Sequence, residues 1–261
     1  MVLILAGIHA VKHALESGEA ISELIIERGK GERGKGHPRL NELIHLAKTR
    51  SIRISFQPRQ SLERLSEGVA HQGVVARVSS GQKLDFGVWL SGLDMTENLS
   101  ILILDGVTDP HNLGACVRSA EAAGCVAVVI PKDHAADVES PVAAKSACGA
   151  LSRVPVLVVT NLVRAMQALQ EKGLWLVGLA GEADKSIYAA DLSGRLGVVM
   201  GAEGKGLRRL VREQCDVLLS IPMPGSVESL NVSVATGITL FEVVRQRLHA
   251  SVNDDQSSLG S

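Results

Sequence analysis

The apolar positions of this chain change their period as the chain advances, and each change marks an element. The opening MVLILA is a short apolar run, and Ile8, Val11 and Leu15 after it share one helical face, which predicts a strand leading into a helix. ELII (23–26), IRIS (52–55) and GVVARV (73–78) read as strands, while Leu40, Leu43, Ile44 and Ala47 recur at helical spacing between them. The alternation over residues 1–78 predicts a compact α/β unit.

Residues 79–98, most of SSGQKLDFGVWLSGLDMTENLS, have mixed polarity and no sustained period, and read as a linker. Beyond them the pattern is plainer. ILIL (101–104), VAVVI (126–130), VPVLVV (154–159), LWLVGL (174–179), LGVVM (196–200) and VLLSI (217–221) are strand candidates, and helical patterns such as Leu162, Ala165, Met166 and Leu169 lie between most of them. Continuous apolar strands alternating with helices imply a parallel sheet covered on both faces, here over residues 99–248. The polar tail 249–261 is expected to be disordered. Ligands of such sheets sit at loops beyond the carboxyl ends of the strands.

Three of those loops carry unexpected polar residues. VVMGAEGKGL (198–207) has the glycines and lysine of a phosphate cradle but neither known spacing. Gly201 and Gly204 stand too close for a Walker A loop, and no hydroxyl residue follows Lys205; the order G-x-x-G-x-G is not the dinucleotide fingerprint either. Two readings remain: a plain tight turn, or a strand-end loop whose backbone approaches a ligand closely because glycine carries no Cβ.

In DGVTDPHNLGACVRSAEAAG (105–124), Asp109 and Pro110 suit the start of a helix whose apolar face is Leu113, Cys116, Val117 and Ala120. Arg118 then points nearly opposite that face, and Asn112 lies in the first turn. Either this is a capped helix with one solvated arginine, or Asn112, Arg118 and the helix start form an anion or RNA site. His111 is a base at hand or only a surface residue. In IPMPGSVESLNVSVATGITLFEVVRQR (221–247), Pro222 and Pro224 exclude helix and Gly225 allows a sharp turn. A helix is then expected with Ser226, Ser229, Asn231 and Ser233 in its first turns. Its apolar surface is wide enough to cover the sheet alone or the sheet and a second subunit.

Composition narrows the partners. Aromatic residues make up only 2% of the chain, too few for stacking many bases on aromatic platforms, so any nucleic acid would be met through charge and polar contacts. Residues 1–80 hold 12 Lys and Arg against 8 Asp and Glu, and residues 81–261 hold 15 against 20. A basic first part beside an acidic second part suggests that the first part meets a polyanion. ERGKGERGKGHPR (27–39) concentrates Arg28, Lys30, Arg33, Lys35 and Arg39, as a solvated loop or as an arm for RNA phosphates. Cys116, Cys125, Cys148 and Cys215 have no metal-ligand spacing, so reduced thiols and no metal are expected. The N-terminal apolar run is too short to span a membrane and has no basic region before it, which leads to a cytoplasmic expectation with no membrane partner.

Together, DPHNLGACVRSA, MGAEGKGL and IPMPGSVESLNVSVATGI resemble, in order and spacing, the three motifs of the SpoU (TrmH) family of RNA ribose 2′-O-methyltransferases. GIHAVKHAL and HQGVVARV resemble the RNA-binding domain of one branch, which methylates guanosine in 23S rRNA. The resemblance implies an α/β fold with a C-terminal trefoil-knotted (SPOUT) parallel-sheet methyltransferase domain and a small N-terminal α/β RNA-binding domain. It further implies S-adenosyl-L-methionine as cofactor, RNA as substrate, and a homodimer with sites near the subunit interface. Carried over by motif, Gly201, Ile221 and Leu230 would line the cofactor pocket, and Asn112, Arg118, Glu203, Ser229 and Asn231 would be the catalytic and RNA-positioning residues. The resemblance makes Arg118 the residue that activates the ribose hydroxyl; because a neutral arginine is costly near neutral pH, a charged Arg118 could instead clamp the adjacent phosphate while Glu203 takes the proton. The same chemistry on tRNA, and a catalytically silent RNA-binding homologue, are the alternatives.

Overall fold

The computed structural model describes residues 2–30, 38–79, 84–95 and 98–258. The first unit contains β1 (Val2–Ala6), α1 (Ile8–Ser17), β2 (Ile21–Glu27), α2 (Pro38–Thr49), β3 (Arg53–Gln57), α3 (Arg59–Ser66) and β4 (Val74–Ser79). Its sheet has the order β1-β4-β2-β3, with β4 antiparallel to both neighbours and β2 parallel to β3. The predicted helical faces are buried: Ile8, Val11 and Leu15 on α1, and Leu40, Leu43, Ile44 and Ala47 on α2. Helix α3 has no counterpart in the apolar pattern, because Leu62 is its one fully buried large side chain. Within the basic segment 27–39, residues 31–37 lie outside the described residues.

The linker is more ordered than expected. It contains helix α4 (Phe86–Ser91), started by Asp85, whose Oδ1 accepts the Val88 N–H at 3.0 Å. Phe86, Trp89 and Leu90 pack against the core of the following unit, which compensates for an element too short to show a period.

That unit contains β5 (Ser100–Asp105), α5 (Pro110–Ala122), β6 (Ala127–Pro131), α6 (Pro141–Ala147), β7 (Val156–Val159), α7 (Leu162–Glu171), β8 (Trp175–Leu179), β9 (Leu196–Gly201), α8 (Arg209–Glu213), β10 (Val217–Leu219) and α9 (Val232–Ser258). Its six strands are all parallel, in the order β10-β8-β9-β5-β6-β7. Strand β5 is buried along its whole length, as the continuous apolar run requires. Alternate residues of β5 face two cores: Leu102 and Leu104 join α5 and α9, while Ile101 and Ile103 join α7. Each such buried side chain contributes on the order of 2 kcal/mol.

Two expectations about the last helix change. It starts at Val232, so Ser226, Ser229 and Asn231 precede it. Asn231 caps it instead, with Oδ1 accepting the Ser233 N–H at 2.9 Å and the Ser233 hydroxyl at 2.6 Å. The tail expected to be disordered is helical as far as Ser258, since extending a formed helix gains one hydrogen bond per residue.

The two sheets meet through α6. Val142 joins the small cluster of Ala6, Leu62 and Val75, and the Ser140 hydroxyl donates to Glu67 at 3.4 Å. Gly114 lets α5 lie against α6: a β carbon there would overlap the Ala143 carbonyl and the Ser146 side chain.

Candidate active site

Strand β9 ends in the glycine loop, and the loop folds back on itself. Ala202 and Gly206 exchange backbone hydrogen bonds at 2.8 and 3.2 Å, with Gly204 and Gly206 at φ +73° and +65°. The hairpin lies so close over Gly201 that a β carbon at that position would overlap the Gly206 carbonyl. Asp105, at the end of the neighbouring β5, fixes the far side of the loop. Its buried carboxylate accepts the Arg208 backbone N–H at 2.8 Å and the Arg208 guanidinium Nε–H at 2.6 Å. Sequence pattern alone does not single out this pair; its one signal is an aspartate closing an otherwise apolar strand.

The glycine loop and residues of the segment 221–230 line a cavity of about 420 Å³ at the carboxyl ends of β8 and β9. Gly201, Ile221 and Leu230 line it, together with Glu203 and Ser229. Leu179, Met200 and Met223 add apolar surface, and Glu182 and Arg212 form an ion pair on its wall.

Beside this cavity the three loops converge on one amide. Asn231 Nδ2 donates to Asn112 Oδ1 at 3.0 Å and to Glu203 Oε2 at 3.2 Å. Each loop therefore places one polar side chain in a single hydrogen-bonded cluster. Asn231 is oriented by the helix cap it also makes, so its amide hydrogens face the other two residues.

Arg118 stands apart from that cluster. As the helical wheel predicts it is exposed, but it faces a second cavity between the two sheets, and Nη1 donates to Cys148 Sγ at 3.3 Å. His111 Nδ1 lies 3.1 Å from the Ser146 hydroxyl, on α6. Among the described residues no group of three or more His, Cys, Asp and Glu is arranged to hold a metal ion, and no helix is long and apolar enough to cross a membrane.

Comparison with known proteins agrees with this architecture. The SpoU rRNA Methylase family model matches residues 100–241, and the model for RNA 2′-O ribose methyltransferase substrate binding matches residues 4–84. The 23S rRNA (guanosine-2′-O-)-methyltransferase RlmB of Escherichia coli strain K12 is 52% identical over 245 residues, which cover 92% of this chain and 97% of that one. RlmB of Haemophilus influenzae is 51% identical over 244 residues, covering 93% and 97%. Among solved structures, the SpoU methyltransferase AviRb from Streptomyces viridochromogenes in complex with AdoMet superposes with a TM-score of 0.74 at 26% identity, covering 95% of this chain and 91% of that one. This chain is a member of the SpoU rRNA methylase family.

Proposed function

We propose that this protein transfers a methyl group from S-adenosyl-L-methionine to the ribose 2′-OH of a guanosine in 23S rRNA. The observation that carries this reading is the Asn112–Asn231–Glu203 cluster beside a cavity walled by glycine-loop backbone. The names of the relatives support the substrate.

The cavity suits the cofactor. Its volume lies within the usual range for small-molecule sites, its apolar side chains fit an adenine and a thioether chain, and the Glu182–Arg212 pair and Glu228 offer polar partners for the charged amino-acid end. Gly201, Ile221 and Leu230 would hold it. When bound, S-adenosylmethionine supplies a sulfonium methyl whose departure leaves a neutral thioether. The chain must therefore align the ribose hydroxyl and take up its proton. Glu203 is the base at hand; Asn231 donates to it, and Asn112 accepts from the same Asn231 amide. Ser229, which lines the same cavity, would position the ribose. Arg118 serves as a charged clamp, since a neutral arginine is costly near neutral pH.

Residues 1–78 would recognise folded rRNA by shape and phosphates, and residues 99–248 would carry catalysis. A trefoil knot through the loops at 201–207 and 221–231 and a homodimer complete the proposal. Support for the dimer is Val234, Phe241 and Leu248, spaced by seven along α9 and each at least half exposed. Sedimentation at micromolar concentration should give the mass of two chains; a single-chain mass would reject the dimer.

The test of function is incubation with labelled S-adenosylmethionine and undermodified large-subunit rRNA, followed by mapping of the label. Label on one guanosine 2′ oxygen is the expected result. Label on a base, or transfer to tRNA and not to rRNA, would overturn it.

A further inference from the structure

A second cavity, about 680 Å³, lies between the four-stranded and six-stranded sheets and shares no lining residue with the cofactor cavity. His9 and His13 face it from α1, one helical turn apart and exposed. Arg118 from α5, Lys145 from α6 and Arg153 face it from the other side, also exposed. Two carboxylates line it as well. Glu121 is engaged by Arg153 at 3.5 Å, and Glu19 accepts the Ser17 hydroxyl at 3.4 Å. Among the described residues, no carboxylate is within ion-pair distance of Arg118 or Lys145. Arg118 spends one N–H on the weak acceptor Cys148 Sγ, so most of its guanidinium is available for another partner.

Helix α5 connects this cleft to the catalytic cluster. Asn112 sits at the cluster, and Arg118 is six residues further along, a rise of roughly 9 Å. A strand whose ribose lies at Glu203 and Asn112 would carry its neighbouring phosphates along α5 into the cleft. Gly149, at φ +86°, brings the two sides together: a β carbon there would stand 3.3 Å from the Glu19 carboxylate and 3.5 Å from the His13 ring.

We propose that this cleft takes the RNA strand adjoining the target nucleotide, with Arg118 and Lys145 on its phosphates and His9 and His13 against it from the first sheet's helix. The inference rests on the methyltransferase reading above and adds where the substrate runs. A cleft walled by both units places the target ribose only when recognition and catalytic surfaces hold the same strand. It also suits a chain with few aromatics, because the contacts are to phosphates.

Cys148 lines the cleft and is the one exposed cysteine of the four; burial pushes the thiols of Cys116, Cys125 and Cys215 up to about 11, 12 and 12. A maleimide at neutral pH therefore reports on the cleft. Undermodified 23S rRNA should slow Cys148 labelling by about tenfold or more, and S-adenosylhomocysteine alone should not, because the cavities are separate. Lys145→Glu should raise KM for the RNA roughly tenfold, lower the salt slope of binding by about one, and leave kcat and S-adenosylhomocysteine affinity within about twofold. Unprotected Cys148 with unchanged KM, in a wild-type protein that still methylates rRNA, would overturn the cleft and leave the function standing. A wild-type protein that neither binds nor methylates rRNA would overturn both.

Discussion

Arg118→Ala is expected to lower methyl transfer by roughly 10³-fold and to leave cofactor affinity within about twofold. The second half of that expectation comes from position. Arg118 lines the cleft between the sheets, whereas Gly201, Glu203, Ser229 and Leu230 line the cavity proposed for the cofactor. The first half comes from charge. Removal of the hydroxyl proton builds negative charge on the 2′ oxygen beside a phosphate, and a guanidinium fixed on that phosphate offsets the repulsion between them better than water does. An arginine acting as base would have to surrender its proton, and a free guanidinium keeps that proton far above neutral pH. The carboxylate held by Asn231 is better suited to receive the proton. Two further variants separate the roles. Arg118→Lys keeps a charge without the planar fork and should recover part of the rate, while Glu203→Gln should flatten the acid limb of the kcat–pH profile. Near-normal turnover in Arg118→Ala would sink the clamp, and an unaltered pH profile in Glu203→Gln would return the base to Arg118.

The strands of the six-stranded sheet are legible because a parallel sheet buried on both faces needs uninterrupted apolar runs, and ILIL and LGVVM are such runs. Helices α3 and α4 are not legible, since one leucine and one Phe-Trp pair respectively fix them through partners far along the chain. The beginning of α9 at Val232 is hard to read from sequence for a related reason. Serines suit a first turn as well as the turn before it, and only the Asn231 side chain on the Ser233 N–H decides between them. Asn112 and Asn231 stand out locally only as residues near helix starts, and Glu203 only through family resemblance; that the three meet is not legible, because their hydrogen bonds join positions 119 and 28 residues apart, a separation no local pattern encodes. The wheel places Arg118 away from the apolar face, but which cavity it enters depends on Cys148, in the left-handed turn that ends α6.

The largest structural effect is expected at a pair that no motif announces. Arg208→Ala should destabilise the protein by about 3 kcal/mol, a fall in melting temperature of roughly 6–12 °C, and weaken S-adenosylhomocysteine binding at the same time. The cost falls on the partner left behind. The Asp105 side chain is 0% exposed, and without the guanidinium its one remaining hydrogen bond among the described residues is from the backbone N–H of residue 208. Cofactor affinity falls with it because that carboxylate, reaching 103 residues along the chain, fastens the end of the loop whose beginning walls the cavity. Removing both partners tests this account. Asp105→Leu combined with Arg208→Ala buries no unpaired charge and should regain most of the lost stability, while binding stays weak because the loop is unfastened. A double variant as unstable as the sum of the two single ones would show that the two side chains act independently. Full cofactor affinity in the double variant would show that the glycine hairpin holds its shape without Asp105.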